Sequence, residues 1–342
     1  SASPSLWPIP LTWFTITGSS NVITWFNTRT GTINLNANVG QWVILNTNQM
    51  GFYRVNYDIN NWQLIRNYLW TGNFSAIPPI NRAQVLDDAF NLARSGRLNQ
   101  SIVLEIGSYI ANETEYVPIV TFTKAFGHID RLFTGREQHH FIRNYGLQAL
   151  QPYFNRTGFI EQTDTHLTKL TKVQVLTWLC RLEHLQCRTT SQQIFNNWIN
   201  SSTLIQPDSQ GFVFCNGLRN ATLEIWNTAL QRYSALREDT QRTRIAQGLG
   251  CASNLTTLER ILNILIDING VFSQSDKLPV VTSVYTNNGV TGVNVVLRWL
   301  TQNFTTIQQR VGSVASIIKG VTNRVTTNEQ VILFNQFVDQ NR

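Results

Sequence analysis

Charge is scarce in this chain. Asp, Glu, Lys and Arg make up 14% of its 342 residues, so the polar surface must be built largely from Asn, Thr, Ser and Gln. That composition suits a secreted, glycosylated protein. No apolar run reaches the roughly 18 residues that a membrane-spanning helix needs. No dense basic run occurs either. The net charge of +7 is spread over scattered arginines, among them Arg54, Arg82, Arg97, Arg131, Arg143, Arg181, Arg242, Arg298 and Arg310, a pattern that argues against nucleic acid as a partner. The chain also lacks a His-Glu-x-x-His zinc motif, a Gly-x-Ser-x-Gly nucleophile elbow and a Gly-rich phosphate loop. Ser1-Ala2-Ser3-Pro4 has neither the charged nor the apolar region of a signal peptide. It reads as the start of a piece cut from a longer precursor.

What is present is a globular chain, 42% hydrophobic and long enough for two domains. Residues 1–58 read as β. Leu6–Ile16 is rich in aromatic and β-branched residues, with prolines that suit an edge. Thr24–Phe26 and Thr32–Leu35 follow. Trp42–Asp58 reads as two short strands about Gly51, with Tyr53, Val55 and Tyr57 on one face and Arg54 and Asn56 on the other. Four or five such strands predict half of a small β-sandwich, incomplete at its N-terminal side. From residue 59 the period becomes 3.6. Asn81 reads as an N-cap, with Gln84 completing a capping box and Gly96 ending the helix. Further helices are predicted over 101–112, 117–134, 139–155, 166–184, 191–200, 217–235, 240–251, 256–268 and 292–304, with a last pair near 310–340. The fold class is therefore mostly α: an irregular α-solenoid of antiparallel helix pairs over 59–342, preceded by the β-sandwich.

Side chains able to do chemistry are few. Asp87 and Asp88 are adjacent, and read as first-turn acids favoured by the helix dipole rather than as an acid–base pair. Trp178, Trp198, Trp226 and Trp299 sit beside Leu and Ile at helical spacing and read as core. His139 and His140 point about 100° apart on a helix, so they cannot share a metal as an i, i+4 pair does. Four cysteines, Cys180, Cys187, Cys215 and Cys251, allow two disulfides in three connectivities. A zinc knuckle of Cys180, His184 and Cys187, with His166 as a fourth ligand, is the rival use. Eight Asn-x-Ser/Thr sequons occur where chance gives roughly six. Of these, Asn73 and Asn112 lie in loop-like sequence and Asn155 and Asn200 at helix ends, so those four are the expected glycosylation sites.

Two runs are distinctive: Gly51-Phe52-Tyr53-Arg54-Val55-Asn56-Tyr57-Asp58, and Asn81-Arg82-Ala83-Gln84-Val85-Leu86-Asp87-Asp88-Ala89-Phe90. With Phe214-Cys215-Asn216, Gln247–Cys251 and Asn287–Trp299, they resemble the C-terminal region of zinc aminopeptidases of the aminopeptidase N family. The style is similar to the insect midgut forms. In that family one bridge encloses six residues and another thirty-five. Cys180 to Cys187 encloses 181–186 and Cys215 to Cys251 encloses 216–250, so the resemblance implies those pairings. On loop entropy they would contribute roughly 2–3 and 3–4 kcal/mol. It also implies that catalytic residues and metal ligands are absent from this chain, which is inactive alone, and that zinc belongs to a missing catalytic domain of the parent. The implied partners are the missing N-terminal and catalytic domains, peptide substrate in the parent's chamber, a homodimer, and toxins or viruses that use such enzymes as receptors. The implied location is the extracellular face of the plasma membrane or the secreted space, with any anchor, such as a GPI group, outside this segment.

Overall fold

The structure is a computed structural model and describes residues 5–20, 22–35, 38–201, 203–237 and 239–341. Ser1–Pro4, read above for a leader, lie outside them. The chain divides into two compact units, Ser1–Phe126 with Gln148–Thr157 and Gly127–Leu147 with Gly158–Arg342.

The first unit opens with four short strands: β1 (Ile9–Leu11), β2 (Trp13–Phe14), β3 (Thr24–Phe26) and β4 (Ile44–Leu45). They pair as two antiparallel ladders, β1 with β3 and β2 with β4. Pro10 can sit in such a ladder because a two-stranded sheet is all edge. Thr32–Leu35 is not a strand. Tyr53–Tyr57 keeps its period-2 alternation of burial but pairs with no strand. Side chains take up its hydrogen bonds instead: the Val55 N–H donates to Asp88 Oδ2 at 3.1 Å, Tyr53 Oη to the Pro10 carbonyl at 2.8 Å, and Tyr57 Oη accepts from the Leu45 N–H at 3.0 Å.

Helices α1 (Ile59–Trp70), α2 (Pro79–Arg94), α3 (Gln100–Gly107), α4 (Tyr116–Phe133) and α5 (His139–Thr157) follow. Asp58 caps α1, accepting from the Asn61 N–H. Trp62, Ile65 and Leu69 recur at helical spacing and are fully buried. Helix α2 begins two residues before the expected cap, because Pro79 takes the first helical position, where its missing N–H costs nothing. Asn81 is therefore buried inside the helix. Its Nδ2 donates to Gln84 Oε1 (2.7 Å) and the Asn46 carbonyl (3.2 Å), and its Oδ1 accepts from the Asn48 N–H (3.0 Å). The pair expected to cap a helix instead fastens α2 to the turn after β4. Gly96, with φ of 73°, does lie just past the end of α2.

A second polar lock in this unit is ionic. Arg82 Nε donates to Glu113 Oε2 at 2.7 Å and Nη2 to Oε1 at 3.0 Å, with both side chains buried. The Thr114 and Glu115 N–H groups and Tyr109 Oη also donate to the Glu113 carboxylate. Arg82 Nη1 donates to the Ile77 carbonyl.

The second unit includes the end of α4 and the start of α5 and, among the described residues, ten further helices: α6 (His166–Arg181), α7 (Leu185–Ser201), α8 (Gln210–Arg219), α9 (Leu223–Ala235), α10 (Asp239–Leu249), α11 (Leu255–Ile266), α12 (Gln274–Asn287), α13 (Gly289–Arg310), α14 (Val314–Thr322) and α15 (Asn328–Gln340). Helices alternate between two rows. In one, α6, α8, α10, α12 and α14 touch in succession; in the other, α7 meets α9, and α11 meets α13 and then α15. Consecutive helices also touch at α6–α7, α7–α8, α9–α10, α11–α12, α12–α13 and α13–α14, the arrangement of stacked helix pairs. The mostly α fold class expected from the sequence is the one observed. Two details differ. The stretch 217–235 is two helices, because Thr222 starts α9 by accepting from the Ile225 N–H. Helix α12 was not expected, because Pro279 lies inside it and removes a donor.

Glu113→Ala strands the Arg82 guanidinium in the core and should cost about 3–5 kcal/mol in denaturant unfolding. The double change Arg82→Met with Glu113→Leu should recover most of that loss. Equal losses in the single and double variants would refute the reading of this pair as a mutually dependent lock.

Candidate functional site: an arginine-lined cavity

Helical periodicity brings one face each of α6, α8, α10 and α12 to a shared cavity of about 410 Å³ within the second unit. Thr177, Trp178 and Arg181 come from α6, Gly211, Cys215 and Arg219 from α8, Arg244, Gln247 and Gly248 from α10, and Pro279, Ser283 and Thr286 from α12. Spacings of three and four residues put each set on one side of its helix.

Two disulfides border this space. Cys180 is joined to Cys187, tying α6 to α7, and Cys215 to Cys251, tying α8 to the end of α10; both span 5.2 Å between Cα atoms. With all four sulfurs so bonded, the zinc-knuckle alternative has no thiolates to use. Burial holds His184 below its ordinary pKa, and its Nδ1 accepts from the Cys187 N–H.

The electrostatics of the cavity are set by arginines. Arg181 is neutralised: it donates to Asp130 Oδ2 at 2.9 Å and stacks over Trp178 at 5.1 Å. Burial opposes ionisation of Asp130, but hydrogen bonds from His139 and Arg181 hold it below the usual carboxylate range. His139 is thus tied to Asp130 and only partly solvated, whereas His140 is exposed. Arg219 is different. It donates to the Asn287 carbonyl at 2.9 Å and to Cys215 Sγ at 3.8 Å, both uncharged. Burial, with Arg188 and Arg181 nearby, pushes its pKa down to about 10. Exposed Arg244 donates to Gln247 Oε1 at 3.3 Å. Among the described residues, neither Arg219 nor Arg244 has a carboxylate within ion-pair distance. Trp198, Trp226 and Trp299 are buried core. Trp178 is half-buried and lines the cavity, a departure from its expected role.

Asp87 and Asp88 lie in the middle of α2 rather than in its first turn. They border a separate cleft of the first unit with Gln49–Arg54. Arg54 bonds Asp87 and reaches Asp88 Oδ1 at 3.2 Å, while Asp88 Oδ2 takes the Val55 N–H. With both oxygens occupied, Asp88 is a latch on the 53–57 segment, not a free acid or base. Sequence spacing could not show this, since the partners lie more than thirty positions away.

Of the expected glycosylation sites, Asn73, Asn112, Asn155 and Asn200 all have exposed side chains. Asn99 matches Asn73 in geometry: in each, the sequon serine hydroxyl donates to the Asn Oδ1 at 3.0 Å. Asn99, not one of the four expected sites, is also the N-cap of α3. Among the described residues no three His, Cys, Asp or Glu side chains converge to hold a metal ion. The side chains present do not fit a catalytic zinc.

Residues 42–342 match the ERAP1-like C-terminal domain. The chain belongs to that family. It is 30% identical to an aminopeptidase N of Plutella xylostella over 87% of this chain and 32% of the relative. It is 31% identical to a membrane alanyl aminopeptidase of Manduca sexta over 88% and 31%. A Rattus norvegicus aminopeptidase N is 27% identical over 88% and 32%. The chain thus spans about a third of the length of these curated relatives, and corresponds to the C-terminal part of aminopeptidase N-type proteins. The family is the one that the Gly51–Asp58 and Asn81–Phe90 runs resemble.

Asp88 gives this site description a pH test. Burial, with Asp87 beside it, raises its pKa from 3.8 to about 6, against the pull of the Val55 N–H and Arg54. The folded state therefore holds this proton more tightly than the unfolded chain. Its carboxylate weakens the fold above pH 6, and that cost disappears as pH falls towards 4. Between neutral pH and pH 5 the wild type should gain about 1 kcal/mol relative to Asp88→Asn in urea unfolding. Parallel pH profiles for the two proteins would contradict it.

Proposed function

We propose that this chain is the non-catalytic C-terminal part of a membrane-associated zinc aminopeptidase, an enzyme that removes N-terminal residues from peptides. In this reading it covers the substrate chamber of the parent and supports dimerisation. The observation that carries it is the family match over residues 42–342, with relatives that are aminopeptidases three times as long. Residues 1–58 would be the β-sandwich domain and 59–342 the helical domain. The arginine-lined cavity would face peptide. Catalytic zinc would sit in the rest of the parent, at the outer face of the plasma membrane or in a secreted form. No helix among the described residues is long and apolar enough to cross a membrane, so an anchor such as a GPI group would lie elsewhere. A second reading is a glycosylated receptor surface for toxins or viruses. The exposed sequons at Asn73, Asn112, Asn155 and Asn200 favour it.

Two measurements follow from this reading. The isolated chain, supplied with zinc, should not hydrolyse a leucine anilide, and co-expression with the upstream part of its parent should yield activity that the upstream part alone lacks. Turnover by the isolated chain would overturn the assignment. Non-reducing peptide mapping of secreted material should find Cys180 joined to Cys187, Cys215 joined to Cys251, and glycans on the four asparagines. Free thiols or bare sequons would remove the secreted, glycosylated part of the proposal.

A further inference from the structure

The two bridges of the second unit meet different surroundings. Cys180 and Cys187 are 6% and 0% exposed, and Cys251 is 1% exposed. Cys215 is only part-buried and stands in the cavity wall. Arg219, one turn further along α8, donates from Nη2 to Cys215 Sγ at 3.8 Å, and Arg244 lines the same space. Cys180 also borders the cavity, but it is buried and its Sγ lies 3.3 Å from Ser191 Oγ. Reduction of a disulfide by a thiol begins with a thiolate, so access and nearby positive charge both favour attack. Cys215 combines the two.

The surroundings also accommodate an open bridge. A Cβ on Gly248 would come within 2.7 Å of Phe214 Cβ, so α10 lies against α8 by direct packing as well as through the disulfide. Cys251 Sγ is 3.6 Å from the Gln247 carbonyl oxygen and 3.4 Å from Ser283 Oγ, which are partners for a thiol.

We propose that Cys215 is a site of reversible modification by small anionic thiols, at which the Cys215–Cys251 bridge opens while the helices stay packed. The attacking thiolate forms a bond to Cys215 Sγ. The bond between Cys215 and Cys251 breaks, and its electron pair leaves on Cys251 Sγ, which takes a proton from water and donates to the Gln247 carbonyl. The product is a mixed disulfide on Cys215. A second thiolate attacks the small-molecule sulfur of that bond, carries it off as a symmetric disulfide and leaves Cys215 as a thiolate beside Arg219. Two small thiols are oxidised and one bridge is reduced, so the thiol is the only reductant needed. Arg219 and Arg244 favour an anionic thiol over a neutral one by raising its local concentration.

The test treats the whole oxidised chain with 2-mercaptoethanesulfonate or with neutral 2-mercaptoethanol, compared at equal thiolate concentration. Alkylation of freed thiols followed by peptide mapping gives the rate at each bridge. Cys215–Cys251 should open at least about tenfold faster than Cys180–Cys187, with the adduct on Cys215. At that bridge the anionic thiol should act at least about threefold faster than the neutral one. Arg244→Gln, at an exposed position that should leave folding intact, should shrink this preference, as should added salt. Arg298→Gln, whose arginine pairs with Glu329 away from the cavity, should leave it unchanged. Circular dichroism should show the helices retained throughout. Equal rates at the two bridges, an adduct on Cys251, no preference for the anionic thiol, or opening only in step with loss of helix overturns the proposal.

Discussion

The second unit depends on how closely its helices approach one another. A Cβ on Gly250 would come within 2.9 Å of the Val280 carbonyl oxygen, and one on Gly292 within 2.2 Å of the Val284 oxygen. Only a residue with no side chain lets α10 and α13 lie against α12 at that range. The Cys215–Cys251 bridge then fastens α8 to the end of α10. Gly250 meets Ser283 of α12, a residue that lines the cavity, so this close approach sets how near α10 and α12 lie beside it.

The first unit is held by polar groups that are buried and nearly saturated. Asn46 and Gly51 exchange two hydrogen bonds, Asn81 reaches the same turn from α2, and Glu113 collects donors from Arg82, Tyr109 and two backbone amides. A chain so poor in charge can still specify a junction this way. Amides both donate and accept, so each buried Asn ties two backbone segments without carrying an ion into the core. The buried Arg82–Glu113 ion pair is tolerable because its lone pairs and protons are so fully used.

Helical character was legible because Trp62, Ile65 and Leu69, or Leu258, Ile261, Leu262 and Leu265, recur at a period that tertiary context rarely disturbs. The extended run at Tyr53–Tyr57 was legible in its alternation but not in its pairing, since side chains rather than a backbone ladder make its bonds: the Asp88 carboxylate accepts from the Val55 N–H, and the Tyr57 hydroxyl accepts from the Leu45 N–H of β4. Asn81 and Gln84 carried the right chemistry for a cap, yet Pro79 set the start of the helix and freed them for a longer-range task. Pro279 hid α12 by the opposite route, lowering local helix propensity where neighbours on both sides supply stability. The cavity could not be read from sequence at all. Its arginines are separated by up to sixty-three positions, from Arg181 to Arg244, and only the stacking of alternate helices brings them together.

The strands have a consequence of their own. A two-stranded ladder leaves each strand one outer rim of N–H and C=O groups, which is the template that self-association and fibril growth exploit. Among the described residues no strand exceeds three residues, and Pro10 removes a donor from one rim. A passing chain finds too few matching groups to recruit before the backbone bends away. Brevity is thus a safeguard: it gives up sheet cooperativity and in return keeps this aromatic-rich segment from templating its own aggregation.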